Sequence, residues 1–303
     1  MAAVHLAAHS IGSIAREILT PGTAVEIAAV FERSVYLQLG GSFVCAGVSE
    51  IGNGPINLLI DCPAAADFAS LGFHRDAKGS VGLDRITFDQ GTTIAFATAA
   101  TWTPPPVPSW SRASITQGLA ALRTLAKTGI VDDGLACLVL APGSPARNSP
   151  TAQAAAATLG ELAHALPHAM QAEDAAVLAR PGVLLLGLGP GLTPSGDDLL
   201  GGIMLALSAL GHVTLRDNLW AALAPELDDL TNAISAMHLA LAADGHGSAL
   251  MHTALAAILT GDPKTGPADI AAASRIGHTS GWDCLAGIAL TLQAWLAAGA
   301  QHI

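Results

Sequence analysis

The spacing of apolar positions changes near residue 104. Before it, apolar residues fall in short, largely alternating groups: Val25 and Ile27 with Phe31, then Val35, Leu37 and Leu39, then Phe43, Cys45 and Val48. That period predicts short strands, with Glu32-Arg33-Ser34 and Gly40-Gly41 as turns. Gly52-Asn53-Gly54-Pro55 is a further turn, and Ile56–Ile60 the strand after it. Residues 62–80 have little periodicity and read as a loop; Val81–Phe88 and Thr92–Ala99 read as two more strands. Leu6, Ile11, Ile14 and Ile18 suggest a short helix or lead-in, ended by Pro21-Gly22. The expectation for residues 1–104 is a small antiparallel β unit, a barrel or a sandwich.

Thr103-Pro104-Pro105-Pro106-Val107-Pro108 is a stiff connector. From residue 111 the period becomes helical. Ile115, Leu119, Leu122 and Leu125 share one face of a helix over Ser111–Thr128. Leu135–Leu140 is an apolar run of either type. Ala-rich helices are predicted at about 151–165 and 168–179, broken by Pro167, and further helices at about 199–210, 214–224, 226–243, 247–260, 268–275 and 280–299, punctuated by Gly211, Pro225, Gly245 and Gly261. The whole is α+β, with a β-rich domain at 1–104 and an α-helical domain at 111–303.

One stretch stands apart within the helical half: Gly187-Leu188-Gly189-Pro190-Gly191-Leu192-Thr193-Pro194-Ser195-Gly196-Asp197-Asp198, between the apolar run Val183–Leu186 and a helix. A glycine-rich turn that opens a helix aims backbone N–H groups and the positive helix end at one spot, which suits an anion. Helix capping alone accounts for part of it: Ser195 as N-cap and Asp198 at N3 form a capping box. Capping leaves Gly189, Gly191 and Asp197 without a reason.

The same device recurs 85 residues later (195 to 280). Ser280-Gly281-Trp282-Asp283-Cys284-Leu285-Ala286-Gly287 repeats Ser195-Gly196-Asp197-Asp198-Leu199-Leu200-Gly201-Gly202 as S-G-x-D-x-L-x-G. Gly202 and Gly287 stand at equal depth, so two similar helices are expected to cross closely there and to face one cleft with their N-termini.

Composition narrows the partners. A net charge of −11 argues against nucleic acid, which needs basic patches. Charged residues are only 12% of the chain, few for so much surface, which favours a homo-oligomer or other subunits. The apolar content is mostly Ala and Leu, suiting packed helices rather than a membrane, and the first residues lack the basic and apolar regions expected of a signal peptide. Cys45, Cys62, Cys137 and Cys284 are widely spaced, as expected for core thiols of a cytoplasmic protein.

Other candidate chemistry clusters around the two motifs. His278 directly precedes the second, where it would donate to a carbonyl or carry a proton; its plain alternative is a bond to a backbone carbonyl. Asn232 and Ser235 form an uncharged polar strip on an apolar helix, suited to line a pocket or to bond to that helix. Asp197, Asp198 and Asp283 would together suit Mg²⁺, though no cofactor is required by the pattern. His164 and His168 flank Pro167, a poor zinc pair. No P-loop, dinucleotide fingerprint or nucleophile elbow is present.

Gly187–Gly202 and Ile276–Gly287 resemble the two hallmark motifs of the AllH-like family, and Gly54-Pro55-Ile56-Asn57 and Trp102-Thr103-Pro104 resemble its N-terminal half. The resemblance implies a subunit of oxamate carbamoyltransferase, acting with other subunits in purine (allantoin) catabolism and exchanging a carbamoyl group between oxalurate and phosphate. In such a site Gly189, Gly191, Thr193, Ser195 and Gly196 would cradle the anion, with Asn232, Ser280 and Gly281 beside them. His278 would polarise the carbamoyl carbonyl, and Asp197, Asp198 or Asp283 would orient an amide. Only Arg275 lies near a motif, so a partner is expected to supply further cations. A non-catalytic anion-binding or regulatory subunit and a metal-dependent hydrolase of an amide or ureide are the alternatives.

Overall fold

The computed structural model describes residues 4–62, 67–131, 133–141 and 143–299. The chain divides into two compact units, Met1–Pro105 and Pro106–Ile303.

The first unit is a mixed β-barrel. Its strands are β1 (His5–Gly12), β2 (Ala24–Val30), β3 (Ser34–Leu39), β4 (Ser42–Gly47), β5 (Asn57–Asp61), β6 (Lys78–Val81), β7 (Arg85–Phe88), β8 (Thr93–Ala95) and β9 (Ala100–Trp102), with a short helix, α1 (Ser13–Ile18), after β1. The order β5-β4-β3-β2-β6-β7-β8-β1 closes through pairing of β1 with β5, so eight strands complete the ring. Closure removes the free edges that would otherwise recruit another chain. β1 is the seam: it runs antiparallel to β5 on one side and parallel to β8 and then β9 on the other. β4 and β5 are also parallel, so the unit is mixed rather than wholly antiparallel.

Inward positions alternate along the strands, as a filled small barrel requires. Val35, Leu37 and Leu39 of β3, and Ile86 and Phe88 of β7, are buried. Three sequence expectations change here. Residues 5–12 form a strand, because Leu6, Ala8 and Ser10 face inward while His5, Ala7 and His9 face out. Residues 81–88 hold a hairpin, with Gly82 N–H donating to Arg85 C=O at 2.7 Å across the turn. Within the supposed loop at 62–80, whose residues 63–66 lie outside the described residues, Phe68 and Phe73 plug the core and stack toward Phe88.

The second unit holds eleven α-helices among the described residues: α2 (Arg112–Gly129), α3 (Ala136–Leu140), α4 (Pro150–Ala172), α5 (Ala176–Val183), α6 (Ser195–Leu210), α7 (Val213–Leu223), α8 (Leu227–Leu230), α9 (Ala233–Ala243), α10 (Ala249–Thr260), α11 (Gly266–Ala273) and α12 (Ser280–Ala297). None is long and apolar enough to cross a membrane. Ser149 caps α4, its hydroxyl accepting from Ala152 N–H at 3.1 Å, and Pro150 takes the first helical position. Pro167 does not break α4. The buried stripe Leu159, Leu162, Leu166, Ala169 and Met170 runs through it unbroken, and packing of that stripe outweighs the roughly 3 kcal/mol that an interior proline costs. The predicted helix over 226–243 is instead the short α8 and α9, separated by Thr231 and Asn232.

α6 and α12 form the heart of this unit. Leu199, Leu200, Ile203, Met204 and Leu207 of α6 are fully buried, as are Leu285, Ile288, Ala289 and Leu292 of α12. Helices apolar all round belong in a core surrounded by other helices.

Candidate functional site

Glycine sets how closely α6 and α12 approach. A Cβ on Gly202 would lie 2.0 Å from the carbonyl oxygen of Cys284, and one on Gly287 would lie 2.0 Å from that of Leu199. Cys284 is the counterpart of Leu199 in the 85-residue repeat (199 to 284), so the contact is reciprocal. The helices cross about a pseudo-twofold axis, and the close crossing expected from the sequence is present.

The symmetry continues upstream of the repeat seen in the sequence, at a spacing of 88 residues (185 to 273, 188 to 276, 189 to 277). Gly196 N–H donates to Leu188 C=O at 2.9 Å, and Gly281 N–H donates to Ile276 C=O at 2.9 Å. A Cβ on Gly196 would strike the carbonyl of Leu185 at 1.9 Å, and one on Gly281 that of Ala273 at 2.2 Å. Gly189 (φ +116°) and Gly277 (φ +59°) occupy matching left-handed positions, each against the serine that starts its helix. Each half is thus a helix, a glycine turn and a long helix: α5 into α6, and α11 into α12.

This geometry corrects the assignment of Gly196 and Gly281 to an anion cradle. Both spend their N–H groups on loop carbonyls and have packing reasons to lack a side chain. The capping box is also absent. Pro194 and Thr279 are the N-cap residues, neither with a side-chain cap bond, and Ser195 and Ser280 are the first helical residues. Asp198 and Asp283 lie one position deeper than capping needs, their N–H groups bonded to Pro194 and Thr279 carbonyls at 3.0 and 2.9 Å. Their carboxyls are therefore released from capping their own helices.

Those carboxyls reach across the axis. Asp198 faces the Ser280 and Thr193 hydroxyls, and Asp283 faces the Ser195 and Thr279 hydroxyls. Thr193 Oγ1 and Ser280 Oγ are 2.8 Å apart, and Ser195 Oγ and Thr279 Oγ1 are 3.4 Å apart. Thr193, Ser195, Asp198, Ser280 and Asp283 thus gather at one point. Thr279, prominent only as a neighbour in the sequence, joins them.

The two acids differ. Asp283 is fully buried, and its Oδ1 accepts from Leu135 and Ala136 N–H at 2.6 and 3.0 Å, so it serves the N-terminus of α3. Burial pushes its pKa up to about 6, with the hydroxyls and these N–H donors opposing the rise. No sequence signal marks Leu135 and Ala136, because a backbone donor carries no side-chain identity. Asp198 sits well above the usual carboxylate range, first through burial; the Ser280 and Thr193 hydroxyls oppose this, while Asp283 and Asp197 reinforce it. The Cys284 thiol beside them is pushed up by burial and by both acids.

Asp197 is not placed for chemistry. It is 2% exposed, its Oδ1 accepts from Gly187 N–H at 2.8 Å, and its Oδ2 accepts from Ser235 Oγ at 2.6 Å and from Thr231 Oγ1. It ties the glycine-rich loop to the start of α9 and is a positioning residue. Asn232 is likewise not a pocket-lining residue on a helix face. It caps α9, accepting from Ile234 and Ser235 N–H, and its Nδ2 donates to Leu192 C=O at 2.9 Å. Between these two anchors Pro190, Gly191 and Leu192 are exposed. Gly191 has φ +101° and open space where a Cβ would stand, so conformation rather than crowding asks for glycine there.

His278 is exposed beside Thr279, and Arg275 is exposed three residues earlier. The three aspartates do not share a ligand set, since Asp197 turns away to α9. Among the described residues no group of three or more His, Cys, Asp or Glu side chains is placed to hold a metal ion.

No solved structure matches this chain. Residues 185–292, which run from the turn before the glycine-rich loop into the body of α12, match the family model described as oxamate carbamoyltransferase subunit AllH, the family to which the two motifs pointed.

Proposed function

We propose that this chain is a carbamoyltransferase subunit of the oxamate carbamoyltransferase kind. It would move a carbamoyl group between an N-carbamoyl small molecule such as oxalurate and phosphate, with the reacting groups at the N-terminal crossing of α6 and α12. The observation that carries this reading is the reciprocal placement of Asp198 and Asp283 against hydroxyls of the opposite motif. It brings two helix N-termini, four hydroxyls and two acids into one place inside the segment that matches the family. Positive helix ends suit the carboxylate and phosphate of such substrates. The Thr193–Ser280 pair offers neutral donors and acceptors for a carbamoyl group.

In this reading Gly189, Gly191, Thr193, Ser195 and Ser280 face the anion, and exposed His278 serves the carbamoyl carbonyl. Other subunits supply cations, since the only Arg beside either motif is exposed Arg275. A cytoplasmic setting accords with four free cysteines. The purified chain, alone and with its co-encoded subunits, is to be assayed for carbamoyl phosphate and oxamate from oxalurate and phosphate. Formation only in the assembled enzyme is the expected result. No product in either setting, with oxalurate or phosphate still bound by the chain, would instead favour the non-catalytic anion-binding subunit. That second reading draws on the lack of any basic partner hydrogen-bonded to Asp198 or Asp283 among the described residues.

A further inference from the structure

The two halves of the site match in backbone and differ in chemistry. Asp283 has two backbone N–H donors on Oδ1, which favour its charged form. Asp198, at the equivalent position, has no such donor. Its Oδ2, like that of Asp283, is closed off from solvent and has no hydrogen-bond partner among the described residues, so the difference between the two acids lies in the backbone donors. The two hydroxyls beside it are bonded to each other at 2.8 Å. They hold two hydrogens, one of which is spent in that bond, so one remains for the carboxyl.

The groups that face Asp198 add no positive charge. Asp197 precedes it on α6; Asp283, Cys284 and Ser280 face it from α12; Thr193 faces it from the loop. Asp198 is half-buried as a residue, but a carboxyl with one oxygen closed off from solvent, one donor and two neighbouring acids favours the neutral acid, and burial pushes its pKa up in the same direction. A neutral acid also admits an anionic substrate that a carboxylate would repel.

We propose that Asp198 is a catalytic proton donor, delivering its proton to the amide nitrogen that departs when the carbamoyl group passes to phosphate. This rests on the carbamoyl-transfer reading above. A phosphate oxygen bonds to the carbamoyl carbon, the bond from that carbon to the oxamate nitrogen breaks, and its electron pair stays on nitrogen. An amide anion is too basic to leave unaided, so the nitrogen takes the proton of Asp198 as the bond breaks. The hydroxyl proton of the attacking hydrogen phosphate then returns to the Asp198 carboxylate. Atoms and charge balance with phosphate as the only co-reactant. Thr193 and Ser280 hold the acid in line.

General acid assistance contributes about 10²–10⁴-fold in rate. The test uses the assembled enzyme, as wild type and D198N, with phosphate as acceptor and either oxalurate or 4-nitrophenyl carbamate as donor. Nitrophenolate leaves without a proton. D198N is expected to lose about 10²–10⁴-fold in kcat with oxalurate and less than about 3-fold with the carbamate. Wild type is expected to lose oxalurate activity on an alkaline limb that the carbamate reaction lacks. Melting curves establish that D198N is folded, and the wild-type limb needs no variant at all.

Equal losses on both donors, or an unimpaired D198N with oxalurate, would overturn the assignment. Should wild type use oxalurate but not the carbamate, an alkaline limb that persists in D198N overturns it, and its disappearance supports it. If the wild-type assembly makes no carbamoyl phosphate from oxalurate, the parent reading fails and takes this one with it, and the wild-type control alone shows that.

Discussion

Gly201 and Gly202 are neighbours on α6, and alanine is expected to act on them with opposite signs. A Cβ on Gly201 would meet the Cβ of Ala242 at 3.7 Å, an ordinary contact. Gly201→Ala should therefore gain the helix-propensity difference, about 0.5–1 kcal/mol. A Cβ on Gly202 would lie 2.0 Å from the Cys284 carbonyl oxygen, where 3.4 Å is the near edge of ordinary contact. That oxygen belongs to the backbone of α12 and cannot swing aside, so the helices must separate by about 1.4 Å. Separation loosens Leu199, Ile203, Leu285 and Ile288, all fully buried. Overpacking of this kind costs about 1–3 kcal/mol or somewhat more, so a net loss of about 1–2 kcal/mol remains after the propensity gain. Gly287→Ala meets the same obstacle at the Leu199 carbonyl and should cost a similar amount. The double variant should cost less than the sum, because the first methyl has already spread the crossing that the second needs. Urea unfolding of the four variants measures this. A Gly202→Ala protein as stable as wild type, or strictly additive losses, would refute the shared-axis account.

Three further outcomes follow from the same geometry. Asp197→Ala strands Gly187 N–H and the hydroxyls of Thr231 and Ser235, and should cost about 3–5 kcal/mol in denaturant unfolding; a loss under 1 kcal/mol would show that the brace is not stabilising. Asp283 holds its proton more tightly folded (about 6) than at the ordinary value of 3.8, so the folded chain binds more protons between these pH values and stability falls as pH rises through them. That loss is about 3 kcal/mol, the Asp283→Asn variant should lack it, and an identical pH slope in variant and wild type would contradict it. Burial pushes the Cys45 thiol up to about 11 and raises Cys284 further, whereas Cys62 is only half-buried, so iodoacetamide at pH 8 should label Cys62 first; mass mapping that finds Cys284 labelled first would show that the α12 N-terminus opens readily.

What was legible in the sequence was legible through side chains in a repeated pattern. The S-G-x-D-x-L-x-G echo fixed the partners of the crossing, because Gly202 and Gly287 are short for a reason that acts at equal depth on both helices. The barrel was legible in strands such as β3, where Val35, Leu37 and Leu39 alternate strongly. It was not legible in β1, whose inward residues Leu6, Ala8 and Ser10 give a weak contrast with Ala7. Nor does periodicity tell that β1 lies parallel to β8, some 88 residues away (5 to 93). The helix starts were misplaced by one residue because the backbone carbonyls of Pro194 and Thr279 satisfy the Asp198 and Asp283 N–H groups that a serine side chain was expected to satisfy. The upstream part of the repeat was hidden by a length difference: Gly189 precedes its serine by six residues and Gly277 by three (189 to 195, 277 to 280).

That length difference accounts for the second departure from symmetry. Three extra residues carry the exposed tip Pro190-Gly191-Leu192, with Gly187, Gly189 and Gly191 all at positive φ. Such a segment loses much conformational freedom on folding and needs anchoring. The anchors are Asp197 at its base and Asn232 at its far side. In the second half the turn is shorter, and the residue equivalent to Asp197 (197 to 282) is Trp282, buried and close to Gly129 rather than bonded to a loop. An acid at position 197 therefore goes with the long loop and not with the helix. Asp283 in turn is occupied by α3. Of the three aspartates at the crossing, two have a structural task that their hydrogen bonds spell out, and Asp198 has none. A carboxyl with one oxygen closed off from solvent and no structural task destabilises the fold that holds it, and the proton transfer proposed above for Asp198 would give that destabilisation a use.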